Sequence, residues 1–360
     1  MPKGSHDNSH DFAGGSLALA RRRLASIVAA YLTFPSLSIA APRDDIVIKP
    51  ITPSINDSTP YGRLSNVGPY GYPKGPISVP MADGRLFEVW APPNAREAHL
   101  VVFSHAELEL PQNYHNLLKH WASHGFIVVA PLHDDSVMRN GLMAHRRDSY
   151  GGQWDPAEIF KNDDFWRERP RVCRSVLDII PKLEQAARIR IQDERPIISG
   201  HSLGSFAGQL LVGVRPILNG AVLDEFDSRF YAAMLLSPNG VGVLGLTKNS
   251  WDDLKRPILV ATGNGDSDAT GQTPNDKLAP FIYSPPGNRH LAWFGRINHT
   301  LWDGEQDLPG TMQELIFADL LAVSTAYLIA YGRYDQDMFT LLSGDYFDKA
   351  SSQRLYMRYR

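Results

Sequence analysis

Short apolar runs alternate with longer amphipathic stretches along most of the chain, from about residue 76 onward. The central runs are apolar throughout, which is typical of strands that are buried on both faces of a sheet. This alternation predicts an α/β fold with a mostly parallel central sheet flanked by helices. The predicted strands lie at residues 87–92, 99–104, 126–131, 195–200, 231–237, 256–263 and 290–295, and the predicted helices at 112–123, 164–188, 203–213 and 308–331.

Two segments lack this alternation. Residues 41–75 are rich in Pro, Gly, Ser and Asn, which predicts an extended N-terminal leader on the surface. Residues after 332 have a mixed composition and predict a small C-terminal appendage. We therefore expect one domain at residues 76–360, preceded by the leader.

The N-terminal 40 residues have the pattern of a signal peptide. An arginine run at residues 21–23 precedes a short apolar run, which ends at Pro35 and is followed by small residues up to Ala41. We predict cleavage near Ala40 and a secreted or periplasmic protein. The alternative is an uncleaved membrane anchor, but the run is short and Pro35 interrupts it. No later segment is expected to span a bilayer, so we expect no stable membrane partner after cleavage.

The composition narrows the possible functions. The chain has 360 residues, 43% hydrophobic residues and a formal net charge of -3, which are ordinary values for a globular protein. The near-neutral charge gives no electrostatic reason to expect a nucleic-acid partner. The single cysteine, Cys173, cannot form an intramolecular disulfide. Cys173 lies in a helical pattern, which favours packing over a role as a nucleophile.

One short motif indicates nucleophilic catalysis. Gly200 to Gly204 read G-H-S-L-G, directly after an apolar strand and directly before a helical stretch with small residues. A serine in that setting lies on a sharp strand-to-helix turn that exposes its hydroxyl above the sheet. The sequence therefore predicts Ser202 as a nucleophile, and the alternative is an ordinary strand–turn–helix connection.

A serine hydroxyl needs a base to accept its proton, and the base needs an acid to orient it. After a turn of this kind, the acid and then the histidine follow along the chain. Asp266 follows the strand at 256–263, and Asp268 is the alternative acid. His299 lies on the loop after the next strand and is the predicted base, whereas His290 begins that strand and is expected to be structural.

A second polar cluster, at His133, Asp134 and Asp135, raises the alternative of a metal site. His133, Asp134 and Asp135 follow a predicted strand, where polar turn residues are common, and no second His or Cys group has matching spacing. We expect no metal and no cofactor.

Several motifs in order resemble a known group of enzymes. They are VVFSH, NYHNLLKHWASHGFIVVAPLH, PIISGHSLGSFAG, AAMLLSPNG, PILVATGNGD and INHTLW. Over about residues 69–340 the chain resembles bacterial α/β-hydrolases similar to dienelactone hydrolase and platelet-activating-factor acetylhydrolase, which border the cutinase-like polyester hydrolases. The resemblance implies the α/β-hydrolase fold. It also implies an oxyanion hole formed by the backbone N–H groups of Leu203 and Glu107, with Ala106 where the family usually has glycine.

These features together predict hydrolysis of a small-molecule carboxylic ester through an acyl-enzyme. The alternatives are an amide, lactone, thioester or polyester bond with the same triad, and a non-catalytic binding protein of this fold. The predicted pocket residues are Ala106, Met143, Trp154 and Trp302. The insertion at 134–163 is expected to form one wall of the pocket, unless it is a surface loop far from Ser202. The short polar segment between Ser237 and Arg256 predicts no large lid and therefore soluble, short-to-medium esters.

Overall fold

The strands predicted from the sequence form the centre of one large sheet in the computed structural model, which describes residues 58–136, 163–268, 270–303 and 311–360. The bounds of its strands are Ile77–Pro80 (β1), Leu86–Trp90 (β2), Glu97–Ser104 (β3), Phe126–Pro131 (β4), Arg190–His201 (β5), Ala232–Leu236 (β8), Ile258–Gly263 (β9), Arg289–Phe294 (β10) and Leu355–Tyr359 (β11). Ile217–Leu218 (β6) and Ala221–Val222 (β7) form a separate two-stranded hairpin.

The order in the large sheet is β1-β2-β4-β3-β5-β8-β9-β10-β11. The six strands from β4 to β10 in this order run parallel to one another. Strands β1 and β2 at one edge and β11 at the other pair antiparallel with their neighbours. The prediction of an α/β-hydrolase fold with a mostly parallel sheet is confirmed.

Helices cover both faces of the sheet. Their bounds are Pro60–Ser65 (α1), His115–Ser123 (α2), Asp163–Asp178 (α3), Ile180–Ala187 (α4), Leu203–Leu211 (α5), Ala279–Tyr283 (α6), Thr311–Gly332 (α7), Gln336–Ser343 (α8) and Tyr346–Ala350 (α9). Turns of 3-10 helix lie at Pro111–Tyr114, Lys248–Trp251, Asp276–Leu278 and Leu301–Asp303. The helix predicted at 164–188 is divided into α3 and α4, because Pro181 lacks the N–H that a continuous helix would need there.

Strand β3 shows how the apolar runs supply two cores. Val101 and Phe103 lie in the core beneath α1, α2 and α7, whereas Leu100 and Val102 lie in the core beneath α3, α4 and α5. Successive side chains of a strand point to opposite faces, so a strand covered by helices on both faces has to be apolar at every position. Cys173 is buried in the second core, as its helical pattern predicts.

Helix α7 corrects one expectation from the sequence. Its Met312–Gly332 segment is long and apolar enough to cross a membrane by length and composition, although no later span was expected. In the folded domain, 89% of its most apolar 18-residue stretch is buried. This helix therefore packs as a core helix, and its apolar composition follows from that burial.

The two segments without alternation also differ from their predictions. Within the predicted extended leader, α1 is a helix whose Tyr61 and Leu64 are buried in the core. Tyr61 donates a hydrogen bond to the buried carboxylate of Asp319 on α7, and Arg354 donates two more at 2.9 Å. The predicted C-terminal appendage completes the sheet, because β11 pairs with β10. Both segments gain their structure from contacts with residues far away in the sequence.

Candidate active site

Ser202 lies on the sharp turn between β5 and α5. Its backbone has φ 53° and ψ -118°, a conformation that residues with a side chain rarely adopt. Residues held in sparsely populated backbone conformations cluster at functional sites. The turn exposes the Ser202 side chain at the carboxyl end of the parallel strands, where ligands bind in open α/β sheets.

The glycines on either side of Ser202 permit a close contact between two backbone segments. A Cβ on Gly204 would lie 2.0 Å from the carbonyl oxygen of Ser104 and 2.6 Å from that of His105. A Cβ on Gly200 would lie 2.4 Å from the backbone of Gly204. Because only glycine fits at both positions, the start of α5 can lie directly against the end of β3.

His299 and Asp266 come from loops after neighbouring strands and meet beside Ser202. His299 Nε2 lies 3.2 Å from Ser202 Oγ, and His299 Nδ1 lies 3.0 Å from Asp266 Oδ1. Asp266 is fully buried, whereas the side chain of His299 is 24% exposed. The structure thus brings together the three residues that the sequence analysis selected, in the order of contacts expected for nucleophile, base and acid.

Two hydroxyl groups that the sequence analysis missed complete this arrangement. Ser237 Oγ donates to Asp266 Oδ1 at 2.8 Å and lies 2.9 Å from His299 Nδ1, and Thr262 Oγ1 donates to Asp266 Oδ2 at 2.8 Å. Both oxygens of the buried carboxylate are therefore hydrogen-bonded, as a buried charge requires. The available signal was position: Ser237 directly follows β8, which pairs with β5, and Thr262 lies near the end of β9, the next strand in the sheet.

The alternative acid, Asp268, has a different partner. It forms a buried ion pair with Lys277, with Nζ and Oδ2 2.6 Å apart, and it accepts a hydrogen bond from Thr270 Oγ1. Burial opposes ionisation of Asp268, but Lys277 holds its pKa below the usual value. His299 Nδ1 hydrogen-bonds to Asp266 rather than to this carboxylate, so the geometry favours Asp266.

The predicted oxyanion donors, Leu203 and Glu107, lie on the two backbone segments that the Gly204 contact brings together. Leu203 is the first residue of α5, and Glu107 follows the end of β3. Among the hydrogen bonds of the described residues, neither of these N–H groups has an acceptor. A free N–H at the start of a helix favours an anion. The two donors are thus available for an oxyanion next to Ser202.

Tyr114 connects these two segments. Its hydroxyl accepts a hydrogen bond from the Ala106 N–H at 3.2 Å and lies 2.7 Å from His201 Nδ1. Burial, together with His299 and Lys277, lowers the pKa of His201 well below its usual value, so this imidazole is neutral and can accept the hydroxyl proton. The residue before Ser202 is therefore fixed to the loop that contains Glu107.

The predicted pocket residues differ in where the structure places them. Trp302 is fully buried and packs against His201, with ring centroids 6.2 Å apart, and against Phe294. Because it is fully buried, its indole supports the site from within the core and does not line an open pocket. Ala106 is 6% exposed and contributes mainly backbone. Met143 and Trp154 lie outside the described residues.

Comparison with known proteins supports the fold at a coarse level. Residues 78–141 match the family model for chlorophyllase, a family of the α/β-hydrolase superfamily. The match indicates an ester hydrolase of this superfamily. It includes β1 to β4 and the Glu107 loop but ends before Ser202. A search of curated proteins finds no match to the chain.

Proposed function

We propose that the protein is a secreted serine hydrolase that cleaves soluble, short-to-medium carboxylic esters. The observation that carries the proposal is the hydrogen-bonded series Ser202, His299 and Asp266 at a strained turn. Within the superfamily, we propose an affinity with the hydrolases similar to dienelactone hydrolase and platelet-activating-factor acetylhydrolase. The same triad acting on an amide, lactone, thioester or polyester bond is the second candidate.

In the proposed reaction, Ser202 Oγ forms a bond to the acyl carbon while its proton passes to His299 Nε2. The N–H groups of Leu203 and Glu107 stabilise the negative charge that develops on the carbonyl oxygen. The tetrahedral intermediate then expels the alcohol, which takes the proton from His299 and leaves an acyl group on Ser202. Water, deprotonated by His299, attacks the acyl carbon and releases the acid and the free serine.

The size preference rests on the segment between β8 and β9. Residues 238–257 are all described and contain no α-helix, only the 3-10 turn at Lys248–Trp251. Many lipases cover their sites with a helical lid, and this segment does not form one. We therefore expect faster hydrolysis of butyrate than of palmitate esters, with no increase in rate above the solubility limit of the substrate.

A substrate panel and a covalent label test this proposal together. A fluorophosphonate should label the protein once, at Ser202, as located by peptide mass spectrometry. Esters, thioesters and anilides with matched acyl chains should then separate the ester from the second candidate. Strong interfacial activation with a preference for palmitate would indicate a lipase and contradict the size preference. Absence of labelling would favour a non-catalytic protein.

The proposed export rests on the N-terminal pattern alone, since residues 1–57 lie outside the described residues. The mature protein should begin near Ala41 or Pro42. Mass spectrometry of the protein from envelope and culture fractions of its native host would locate this terminus. An intact N-terminus in the cytoplasmic fraction would contradict secretion.

Glu107 leads to a prediction about pH. Its half-buried carboxyl has a pKa raised to about 8, first by burial and then by repulsion from Asp135 and Asp268, while Arg169 partly opposes the shift. The group is therefore neutral below pH 8 and becomes anionic above it. An anion beside the oxyanion hole would destabilise the transition state. We expect kcat to fall several-fold as the pH rises from about 7 to 9.

The variant Glu107→Gln should remove this alkaline decrease, because its amide stays neutral while the backbone donor remains. Profiles of kcat against pH for both proteins provide the measurement. The exposed Glu97 on β3 offers a matched control, and Glu97→Gln should leave the profile unchanged. An identical alkaline decrease in Glu107→Gln would show that another group causes it.

A further inference from the structure

Arg169 on α3 is a buried arginine that uses every N–H it has. It is 0% exposed, and its guanidinium makes five hydrogen bonds. Two go to Asp135, from Nε at 3.2 Å and from Nη2 at 2.6 Å. The other three go to Ser104 Oγ at 3.2 Å, to the His105 carbonyl at 2.5 Å and to the Ala106 carbonyl at 3.2 Å. A guanidinium has five N–H donors, so none is left over.

The three contacts besides Asp135 lie on consecutive residues at the end of β3, immediately before Glu107. The residue after Glu107 is held as well, because the Leu108 N–H donates to Asp135 Oδ2 at 3.2 Å. Leu108 has φ 62°, a left-handed conformation that costs a residue with a side chain free energy. The pair of Arg169 and Asp135 thus fixes the backbone on both sides of Glu107, including its strained step.

The ring of His105 adds to the same framework. Its Nε2 accepts a hydrogen bond from the His133 N–H at 3.1 Å, so its Nδ1 carries the proton and donates to the Ala106 carbonyl at 2.7 Å. Burial and the nearby Arg169 lower the pKa of His105 to about 3, which keeps the ring neutral. The Ala106 carbonyl therefore accepts hydrogen bonds from the Arg169 and His105 side chains and from the Glu109 N–H at 3.3 Å, which fix the peptide that precedes Glu107.

We propose that Arg169, paired with Asp135, is a positioning residue that holds residues 104–108 so that the Glu107 N–H faces the oxyanion. This inference rests on the proposed function and goes beyond it, because it assigns a role to a buried ion pair between α3 and the loop after β4. An oxyanion donor contributes only if its direction is fixed before the charge develops. Ala106 limits the backbone freedom of this loop, and the hydrogen bonds from Arg169 on α3 fix the loop in one conformation.

Lysine can replace the charge of Arg169 but not its geometry. A lysine ammonium has three donors at one point, whereas the guanidinium presents five in a rigid plane. Arg169→Lys keeps a cation for Asp135 and cannot also reach Ser104, His105 and Ala106. The variant therefore separates loop positioning from the requirement that the buried carboxylate be paired. Arg167 and Arg171 are exposed on the same helix, so Arg171→Lys is the matched control.

The experiment compares wild type, Arg169→Lys and Arg171→Lys by ester kinetics, chemical unfolding and amide hydrogen exchange. For Arg169→Lys we expect kcat to fall about 10- to 100-fold with KM within threefold, since an oxyanion donor acts mainly in the transition state. The affinity for a trifluoromethyl ketone, which forms a tetrahedral adduct with the serine, should fall in parallel. Exchange at Glu107 and Leu108 should become faster, and Arg171→Lys should match wild type.

Two results would overturn the inference. One is a kcat of Arg169→Lys within threefold of wild type, and the other is unchanged exchange at Glu107 and Leu108. If Arg169→Lys does not fold, Asp135→Asn keeps an acceptor for Leu108 while it weakens the pair, and the same measurements apply. If wild type hydrolyses no ester, the proposed function fails, and the exchange rates alone decide whether Arg169 holds the loop.

Discussion

Replacement of Ser202 by alanine should lower kcat by a factor on the order of 10⁴–10⁶. In the proposed mechanism, Ser202 Oγ is the atom that forms a covalent bond to the substrate, and His299 Nε2 lies 3.2 Å from it. Substrate binding should be largely retained, because the oxyanion donors and the surrounding surface are unchanged. KM should therefore stay within a few-fold of wild type, as steady-state kinetics with a soluble butyrate ester would measure.

Ser205, one turn further along α5, is a matched control for this substitution. It is fully buried, and its hydroxyl has no hydrogen-bond partner among the described residues. Ser205→Ala should therefore keep nearly full activity. A Ser202→Ala protein that retained a tenth of wild-type activity, in a preparation free of host esterases, would refute the assignment of the nucleophile.

The central sheet could be predicted from the sequence because its strands carry their own signal. Strands such as β4 and β8 are covered on both faces, so every position is apolar and the run stands out from its neighbours. Ser202 could be predicted for a related reason. Its turn needs glycines at 200 and 204 for close backbone contact, and that requirement is visible in a sequence of five residues.

Other elements depend on contacts that the sequence does not display. Strand β11 has a mixed pattern and becomes a strand because β10 offers an open edge. Helix α1 has only six residues, which is too short for an independent helix, and it forms by packing on α7. Local pattern alone therefore led to an extended leader and an appendage where the domain has a helix and a strand.

The residues that hold the catalytic side chains and the Glu107 loop in place were the hardest to predict from the sequence. Ser237 and Thr262 reach Asp266 from two different strand ends, and Arg169 reaches the Glu107 loop from a helix about 60 positions later in the chain. Each of these residues is common in its own local context. Their roles follow from the order of strands in the sheet, which the sequence analysis predicted only as a class.

The second large effect should come from Asp266→Asn, which we expect to lower kcat about 10⁴-fold with little change in the fold. The carboxylate accepts a hydrogen bond from the Nδ1–H of His299 and so holds the tautomer whose Nε2 can take the serine proton. Asparagine is nearly isosteric, but it can present its amide N–H₂ to Nδ1, which favours the wrong tautomer. It also removes the charge that stabilises the imidazolium formed during the reaction.

Asp268→Asn distinguishes this mechanism from a general effect of negative charge near the site. That substitution leaves the buried Lys277 without its anionic partner, so it should lower the free energy of unfolding, while the His299–Asp266 pair stays intact. We therefore expect its kcat to stay within about tenfold of wild type at temperatures where it remains folded. The double variant Asp266→Asn with His299→Ala should be no slower than His299→Ala alone, because the acid acts only through the histidine. Additive losses in that double variant, or a larger kcat loss in Asp268→Asn than in Asp266→Asn, would mean that the acid has been misassigned.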